Sequence, residues 1–107
     1  MANPEVLFNM ASTAAHTAVV DAVGAGMERD VCGFGWVVVK PARGTFVKWL
    51  KENGIGTNEY GGGWRIPRHV MATYRGQSMG VNEAAATAFA DVLTDHGIQA
   101  YARSRID

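Results

Sequence analysis

The segment from residue 30 to residue 40 most restricts the fold of this chain, because it reads as a strand that is apolar on both faces. Alternate residues of a strand point to opposite sides of a sheet. One side would carry Val31, Gly33, Gly35, Val37 and Val39, and the other Cys32, Phe34, Trp36 and Val38. Two apolar faces are typical of a central strand, and Pro41 ends the pattern. We therefore expect a sheet built around this segment.

A long helix is predicted before this strand. Asn3 and Pro4 are typical of a helix start, and the helix would run from residue 4 to about residue 23, with Gly24 and Gly26 at its end. Its small residues recur at helical spacing: Ala11, Ala14, Ala15, Ala18, Ala22 and Ala25. Such a stripe lets another backbone approach closely. It could pack on the sheet of this domain or on the same helix of a second subunit.

The chain after Pro41 predicts two helices and three strands. A short helix fits residues 43–53, and residues 57–60 and 64–67 flank three glycines as a hairpin. Residues 68–80 are predicted to be irregular. Asn82 is the expected cap of a helix that runs to about residue 96. Residues 98–106 alternate as a closing strand, in which Tyr101, Arg103 and Arg105 share one side.

The order of these elements predicts an α+β fold with one domain, residues 1–107. An N-terminal alanine-rich helix occupies residues 1–29, and an α+β core occupies residues 30–107. From residue 30 the order is strand, helix, strand, strand, helix, strand, which matches the ferredoxin-like βαββαβ arrangement with an antiparallel sheet. Helices would cover one face of that sheet. The extra helix would cover the other face or reach a partner.

The charged residues are distributed unevenly, although the formal net charge is zero. Residues 40–76 contain seven Lys or Arg against two Glu, whereas acidic residues outnumber basic ones in residues 1–39 and 77–107. A balanced total favours neither nucleic acid nor a membrane as partner. The basic middle can either neutralise the acidic flanks, within one chain or between subunits, or meet an external anion.

Cys32 is the single cysteine, so no internal disulfide can form and a reducing interior is expected. Its apolar surroundings predict a buried, unreactive thiol. The first five residues carry no basic group, and the uncharged run 6–20 is too short and too polar to cross a bilayer. We expect a soluble cytoplasmic protein with no membrane partner.

The segment 59–75 is the candidate binding surface, because it joins three glycines to aromatic and cationic side chains. Glycine permits positive φ, aromatic rings offer flat contact surfaces, and guanidinium groups grip phosphate or carboxylate in pairs of hydrogen bonds. The residues predicted to bind a partner or a phosphate are Tyr60, Trp64, Arg65, Arg68, His69, Tyr74 and Arg75. The alternative is a tight hairpin whose tryptophan fills the core and whose arginines are merely solvated.

A second candidate is the run Gly33-Phe34-Gly35-Trp36-Val37, which resembles part of the RNP1 motif of RNA-recognition domains. In that family two aromatics on one sheet face stack on bases, which would give Phe34 and Trp36 that role. The chain departs from the motif at Cys32, where the family has Lys or Arg, and at Val39, where it has an aromatic. The alternative is a central strand whose aromatics lie under a helix.

Catalytic and metal-binding patterns are absent from the sequence. There is no phosphate-binding loop, dinucleotide fingerprint or nucleophile elbow. His16, His69 and His96 are scattered, and Asp91 and Asp95 are one helical turn apart, as on a solvated face. We therefore predict no catalytic residues, no metal and no cofactor.

The chain as a whole resembles small uncharacterised proteins of tailed bacteriophages over residues 31–107. The segments that carry the resemblance are Cys32–Val37, Lys40–Gly44, Phe46–Lys51 and Ser104–Asp107, together with the glycine-rich Tyr/Trp segment. The resemblance implies a viral protein that is made inside a bacterium and binds host or viral partners. It implies no activity and no site residues.

Three functional hypotheses follow. The first is a non-enzymatic interaction protein that self-associates as a homo-oligomer and binds a protein partner through segment 59–75, with protein favoured over nucleic acid. The second is a nucleic-acid or nucleotide binder that uses Lys40, Arg65, Arg68 and Arg75 for phosphates, with Trp64 or Phe34 for stacking. The third is a small hydrolase or transferase in which His69 and a carboxylate such as Glu59 meet in a pocket.

Overall fold

The computed structural model of the protein describes residues 3–72 and 74–107. The helices of this part of the chain lie at Pro4–Gly24 (α1), Thr45–Glu52 (α2), Arg68–Met71 (α3) and Met79–Asp95 (α4). The strands lie at Gly33–Val39 (β1), Thr57–Asn58 (β2), Trp64–Pro67 (β3) and Ala100–Ile106 (β4). A 3₁₀ turn at Met27–Arg29 links α1 to β1. The predicted α+β class, with its N-terminal helix and antiparallel sheet, is confirmed.

The sheet has the strand order β2-β3-β1-β4, and every neighbouring pair is antiparallel. The central position predicted for the strand at residues 30–40 is confirmed, because β1 lies between β3 and β4. The register places Phe34 opposite Arg105 and Trp36 opposite Arg103. Val38 lies between Arg65 on β3 and Tyr101 on β4. The tertiary pairing thus brings two sets of arginines to the aromatic side of β1.

The described helices gather on one side of the sheet. Helix α4 contacts β1 and β4, α1 contacts α4, and both α2 and α3 contact α1. The core between these layers includes Val37 and Val39 from β1 and Phe89 from α4. Because successive residues of β1 alternate, Phe34, Trp36 and Val38 belong to the opposite side. That side, which we call the open face, is not covered by a helix in residues 3–72 or 74–107.

Helix α1 begins as the sequence predicts. The Asn3 side chain accepts hydrogen bonds from the backbone N–H groups of Glu5 and Val6, with Pro4 at the first helical position. Its alanine stripe, however, packs on α4 and not on the sheet. The buried residues are Leu7, Ala11, Ala15, Val19 and Ala22. By length and composition alone, α1 is also long and apolar enough to cross a membrane. Helices in the cores of soluble proteins meet the same criterion. The predicted absence of a membrane span therefore stays a prediction.

The glycines of β1 explain how closely α4 approaches the sheet. A Cβ placed on Gly35 would lie 2.6 Å from the carbonyl oxygen of Asn82, and one on Gly33 would lie 2.7 Å from Met79. The glycines of the Gly-Phe-Gly-Trp run therefore face the helix, while its aromatic residues face the open side. The two residue types in this run have separate structural roles.

Asn82 does not cap α4, contrary to the sequence-based expectation. The helix begins at Met79, with Ser78 as N-cap accepting a hydrogen bond from the N–H of Val81. Asn82 lies buried in the first turns, where its amide donates to the carbonyl of Gly33 at 2.9 Å. Its position in the packed α4–β1 contact makes it a link between helix and sheet.

Asp30 fastens the chain before β1 to the start of α4. One carboxylate oxygen accepts a hydrogen bond from the Ser78 hydroxyl, and the other accepts from the N–H of Gly80 at 2.7 Å. A carboxylate at a helix N-terminus also interacts favourably with the helix dipole. This clasp joins residues that are about fifty positions apart in the sequence.

Two further expectations are wrong. Cys32 is exposed, not buried, because alternation places its side chain on the same side as Phe34, opposite the helices. Residues 68–80 are not wholly irregular, since α3 forms at Arg68–Met71 and buries Met71. The hairpin is confirmed, with Thr57 opposite Arg65 and Asn58 opposite Trp64, although β2 is only two residues long.

Candidate functional site

The open face carries a row of aromatic and aliphatic side chains along β1, with cations on both neighbouring strands. Phe34 is 42% exposed, whereas Trp36 is 8% exposed. Because Phe34 and Trp36 are two residues apart, their side chains project from the same side of the strand. Arg103 and Arg105 flank them on β4. The sequence predicted that Phe34 and Trp36 share a face, and no helix formed by the described residues covers that face.

Trp36 is covered by guanidinium groups rather than by a packed element. The guanidinium carbon of Arg65 lies 4.2 Å from the centroid of the Trp36 ring, and that of Arg103 lies 5.9 Å from it. Cations over a tryptophan ring gain about 0.5–1 kcal/mol at exposed sites. Both arginine side chains are partly exposed to solvent, at 40% and 49%. The low exposure of Trp36 therefore owes much to two surface side chains.

Glu59 holds the edge of this tryptophan. The Trp36 indole N–H donates to Oε2 of Glu59 at 2.7 Å. The same carboxylate lies 3.6 Å from a guanidinium nitrogen of Arg103 and 4.0 Å from one of Arg65. Its side chain is 5% exposed. A buried carboxylate is tolerated where cations and a hydrogen-bond donor surround it.

A shallow cavity of about 310 Å³ opens between Phe34, Trp36, Arg65 and Arg105. Its volume is at the lower end of the range of small-ligand sites. It offers one exposed ring and two guanidinium groups. A ligand that joins a flat ring to an anionic group suits this lining. A nucleotide is such a ligand, because its base can stack on the aromatic ring while its phosphate pairs with arginine.

The open face continues towards the glycine hairpin. Lys40 reaches over the ring of Tyr101, with its ammonium 5.9 Å from the centroid. Gly63 allows this arrangement, because a Cβ there would lie 2.7 Å from Val38 and 2.9 Å from Lys40. The hairpin thus closes over Val38, which is fully buried. The cations of the face are Lys40, Arg65, Arg103 and Arg105, against the buried carboxylate of Glu59 and, at the end of β4, the exposed Asp107 opposite Cys32.

The structure divides the residues predicted for segment 59–75. Arg65 joins Phe34 and Trp36 on the open face. Trp64, its neighbour in β3, points to the helix side, where it packs on the core and donates its indole N–H to the carbonyl of Ile55 at 2.9 Å. Adjacent strand residues point to opposite faces, so Trp64 and Arg65 cannot serve one surface.

Other members of the segment are used within the chain. Arg68 donates to the carbonyls of Tyr74 and Gly76, at 2.7 and 3.1 Å, and so supports the loop before α4. The Tyr74 hydroxyl lies 3.4 Å from the N–H of Ser78 and accepts from it. These two side chains stabilise the loop, and that role limits their availability to a partner.

Tyr60, His69 and Arg75 remain exposed but are not brought together. Tyr60 is 97% exposed at the tip of the hairpin. His69 lines two adjoining cavities, of about 390 and 410 Å³, one beside Ser12 and His16 of α1 and the other beside Arg75. Neither cavity includes Glu59, so the pairing of His69 with that carboxylate that the hydrolase hypothesis requires is not favoured.

Sequence reasoning did not assign Tyr101, Arg103 and Arg105 to the site. Their shared side in the closing strand was nevertheless predicted from alternation. What was missing was the position of β4 beside β1, which depends on strand order. Within the described ranges, we find no group of three or more His, Cys, Asp or Glu side chains that could hold a metal ion.

Comparison with known proteins adds no family to this geometry. No protein-family model matches the sequence, and neither the curated proteins nor the solved structures include a match to this chain. Its function must therefore be argued from its own residues.

Proposed function

We propose that this protein binds single-stranded nucleic acid across the open face of its sheet. The observation that carries the proposal is the placement of Phe34 and Trp36 on a sheet face that no described helix covers, between arginines on both neighbouring strands. Non-specific binders of single strands combine stacking rings with a cationic surface that follows the backbone. This was the second of the hypotheses drawn from the sequence.

Stacking is the first supporting argument. Phe34 presents an exposed ring beside the cavity, and Tyr101 presents another, 37% exposed, further along the face. Base stacking on an aromatic side chain contributes about 1–3 kcal/mol per base.

Charge is the second supporting argument. Four cations, against the carboxylates of Glu59 and of Asp107 at the end of β4, give the face an excess of about two positive charges, although the whole chain has a formal net charge of zero. Most of the acidic residues thus lie elsewhere on the molecule. For single strands the slope of log K against log salt is about −0.7 for each phosphate contact, which predicts a slope near −1.4 for two contacts.

The test is fluorescence anisotropy with labelled single-stranded RNA and DNA of about ten nucleotides, at 50 and 200 mM salt. Phe34→Ala should weaken binding by about 5- to 150-fold, the equivalent of one lost stacking interaction. Phe34→Tyr should retain it. Ile106→Ala is the matched control, since Ile106 is exposed and apolar but alternates to the other side of β4.

Two results would count against the proposal. One is the absence of any signal with either strand at 50 mM salt and micromolar protein. The other is an equal loss of binding in Phe34→Ala and Ile106→Ala, which would indicate a general effect on the fold. Circular dichroism of each variant separates loss of binding from loss of structure.

We also propose that the core has the ferredoxin-like βαββαβ arrangement. Two strand–helix–strand units support it, β1-α2-β2 and β3-α4-β4. In the order β2-β3-β1-β4, each unit has a strand of the other inserted between its own two strands. That interleaving is what a split βαβ arrangement requires.

Protein binding is a second candidate function. Tyr60 favours it, because a fully exposed tyrosine at a hairpin tip is typical of binding hot spots. Self-association is favoured by the outer side of α1, where Val6, Met10 and Val20 are exposed. The resemblance to tailed-bacteriophage proteins, and with it a viral setting, stays a prediction.

A further inference from the structure

Glu59 stands out on the open face because it is a buried carboxylate on a cationic surface. It lies beside Trp36, with Arg65 and Arg103 on either side. Among the described residues, the short contact of its carboxylate is the hydrogen bond from the Trp36 indole. An ionised carboxylate has about four acceptor positions, so this carboxylate can accept more donors than the structure gives it.

The two arginines are held loosely by this carboxylate. Their nitrogen–oxygen distances of 3.6 and 4.0 Å exceed the usual length of a charge-assisted hydrogen bond. Ion pairs with partners this exposed contribute little to stability. The pairs nevertheless place both guanidinium groups over the Trp36 ring. A phosphate group offers the same guanidinium groups closer and stronger contacts.

We infer that Glu59 is an internal counter-ion that sets how tightly the open face holds a nucleic-acid strand. In the free protein it keeps Arg65 and Arg103 over Trp36. When a strand binds, its phosphates take over these two arginines, and the ring of Trp36 becomes accessible to a second base. Glu59 therefore acts as a positioning residue, and it weakens binding by neutralising about one positive charge. This inference rests on the proposed function.

Glu59→Gln tests the inference, because the amide oxygen can still accept the hydrogen bond from Trp36 while the charge is removed. One additional effective phosphate contact should make the salt slope more negative by about 0.7. If the variants converge at 1 M salt, affinity for a single strand should rise about 8-fold at 50 mM salt and about 3-fold at 200 mM.

Two control variants separate charge from structure. Glu52→Gln makes the same chemical change at the exposed end of α2, away from the open face, and should shift the affinity less than twofold. Glu59→Asp keeps the charge but shortens the side chain, which disturbs the hydrogen bond to Trp36. It should leave the salt slope within about 0.2 of the original protein's, since the slope follows the number of charges.

Each outcome decides the inference. A steeper slope and tighter binding in Glu59→Gln alone supports it, including the case in which only that variant binds detectably. Equal behaviour of Glu59→Gln and Glu52→Gln overturns it while leaving the proposed function intact, provided that the original protein binds. A common change in Glu59→Gln and Glu59→Asp assigns Glu59 a packing role and also overturns it. If none of these proteins binds, the proposed function fails as well.

Discussion

Gly35→Ala places one methyl group in the contact between β1 and α4. The added Cβ would lie 2.6 Å from the carbonyl oxygen of Asn82, 2.8 Å from its carbonyl carbon and 3.1 Å from the N–H nitrogen of Glu83. All three atoms belong to helix backbone, which cannot rotate away as a side chain does. The φ angle of Gly35 is not in the left-handed region, so the effect comes from space and not from backbone strain.

The expected cost follows from overpacking. Forcing a methyl group into a packed core costs about 1–3 kcal/mol. Replacing glycine also lowers the entropy of the unfolded chain, and this effect stabilises the folded protein by about 0.4–1 kcal/mol. We expect a net loss of about 1–2 kcal/mol. With an unfolding entropy of about 2.1 cal/mol/K for each of the 107 residues, this lowers Tm by about 4–9 °C.

Thermal unfolding followed by circular dichroism measures the shift. Gly24→Ala is the matched control, because Gly24 ends α1 and a Cβ there has no neighbour within 4 Å. That variant should be unchanged or up to about 1 kcal/mol more stable. A Tm for Gly35→Ala within 2 °C of that of Gly24→Ala would show that α4 does not approach the strand as closely as the structure indicates.

Two other substitutions test separate features of the molecule. Asp30→Ala removes the clasp at the start of α4 and should lower the free energy of unfolding by about 1–2 kcal/mol in chemical denaturation. Asp91→Ala, on the exposed side of the same helix, is the control and should change it by less than about 0.5 kcal/mol. Equal losses in the two variants would refute the clasp. Tyr60→Ala should leave Tm and strand binding unchanged but reduce any protein capture or self-association seen in pull-down and sedimentation experiments. Undiminished association in Tyr60→Ala would remove the hairpin tip from that second candidate function.

The candidate site was partly predictable because strand alternation is a local property. Phe34 and Trp36 were assigned to one face, and so were Tyr101, Arg103 and Arg105, without knowledge of the fold. Joining the two sets required the pairing of β1 with β4, which lie more than sixty residues apart in the chain. No local pattern specifies which strands become neighbours.

The segment 59–75 shows the opposite case, in which proximity in sequence was misleading. Its aromatic and cationic residues suggested one surface. Trp64 and Arg65 nevertheless lie on opposite faces of β3, and Arg68 turns inwards to hold the carbonyls of Tyr74 and Gly76. Alternation within residues 64–67 could have separated the first pair. The use of Arg68 depended on a loop conformation that the sequence does not specify.

The sequence by itself determined the types of the elements other than α3, the central place of β1 and the start of α1, because periodicity, capping and glycine preferences act over a few residues. The tertiary structure decided which side of the sheet the helices cover. It did so through the contacts of Gly33 and Gly35 with α4, which only close packing makes visible. That choice left Phe34 exposed and gathered the arginines of β3 and β4 around Trp36, since the burial of one face of a sheet fixes what the other presents to solvent.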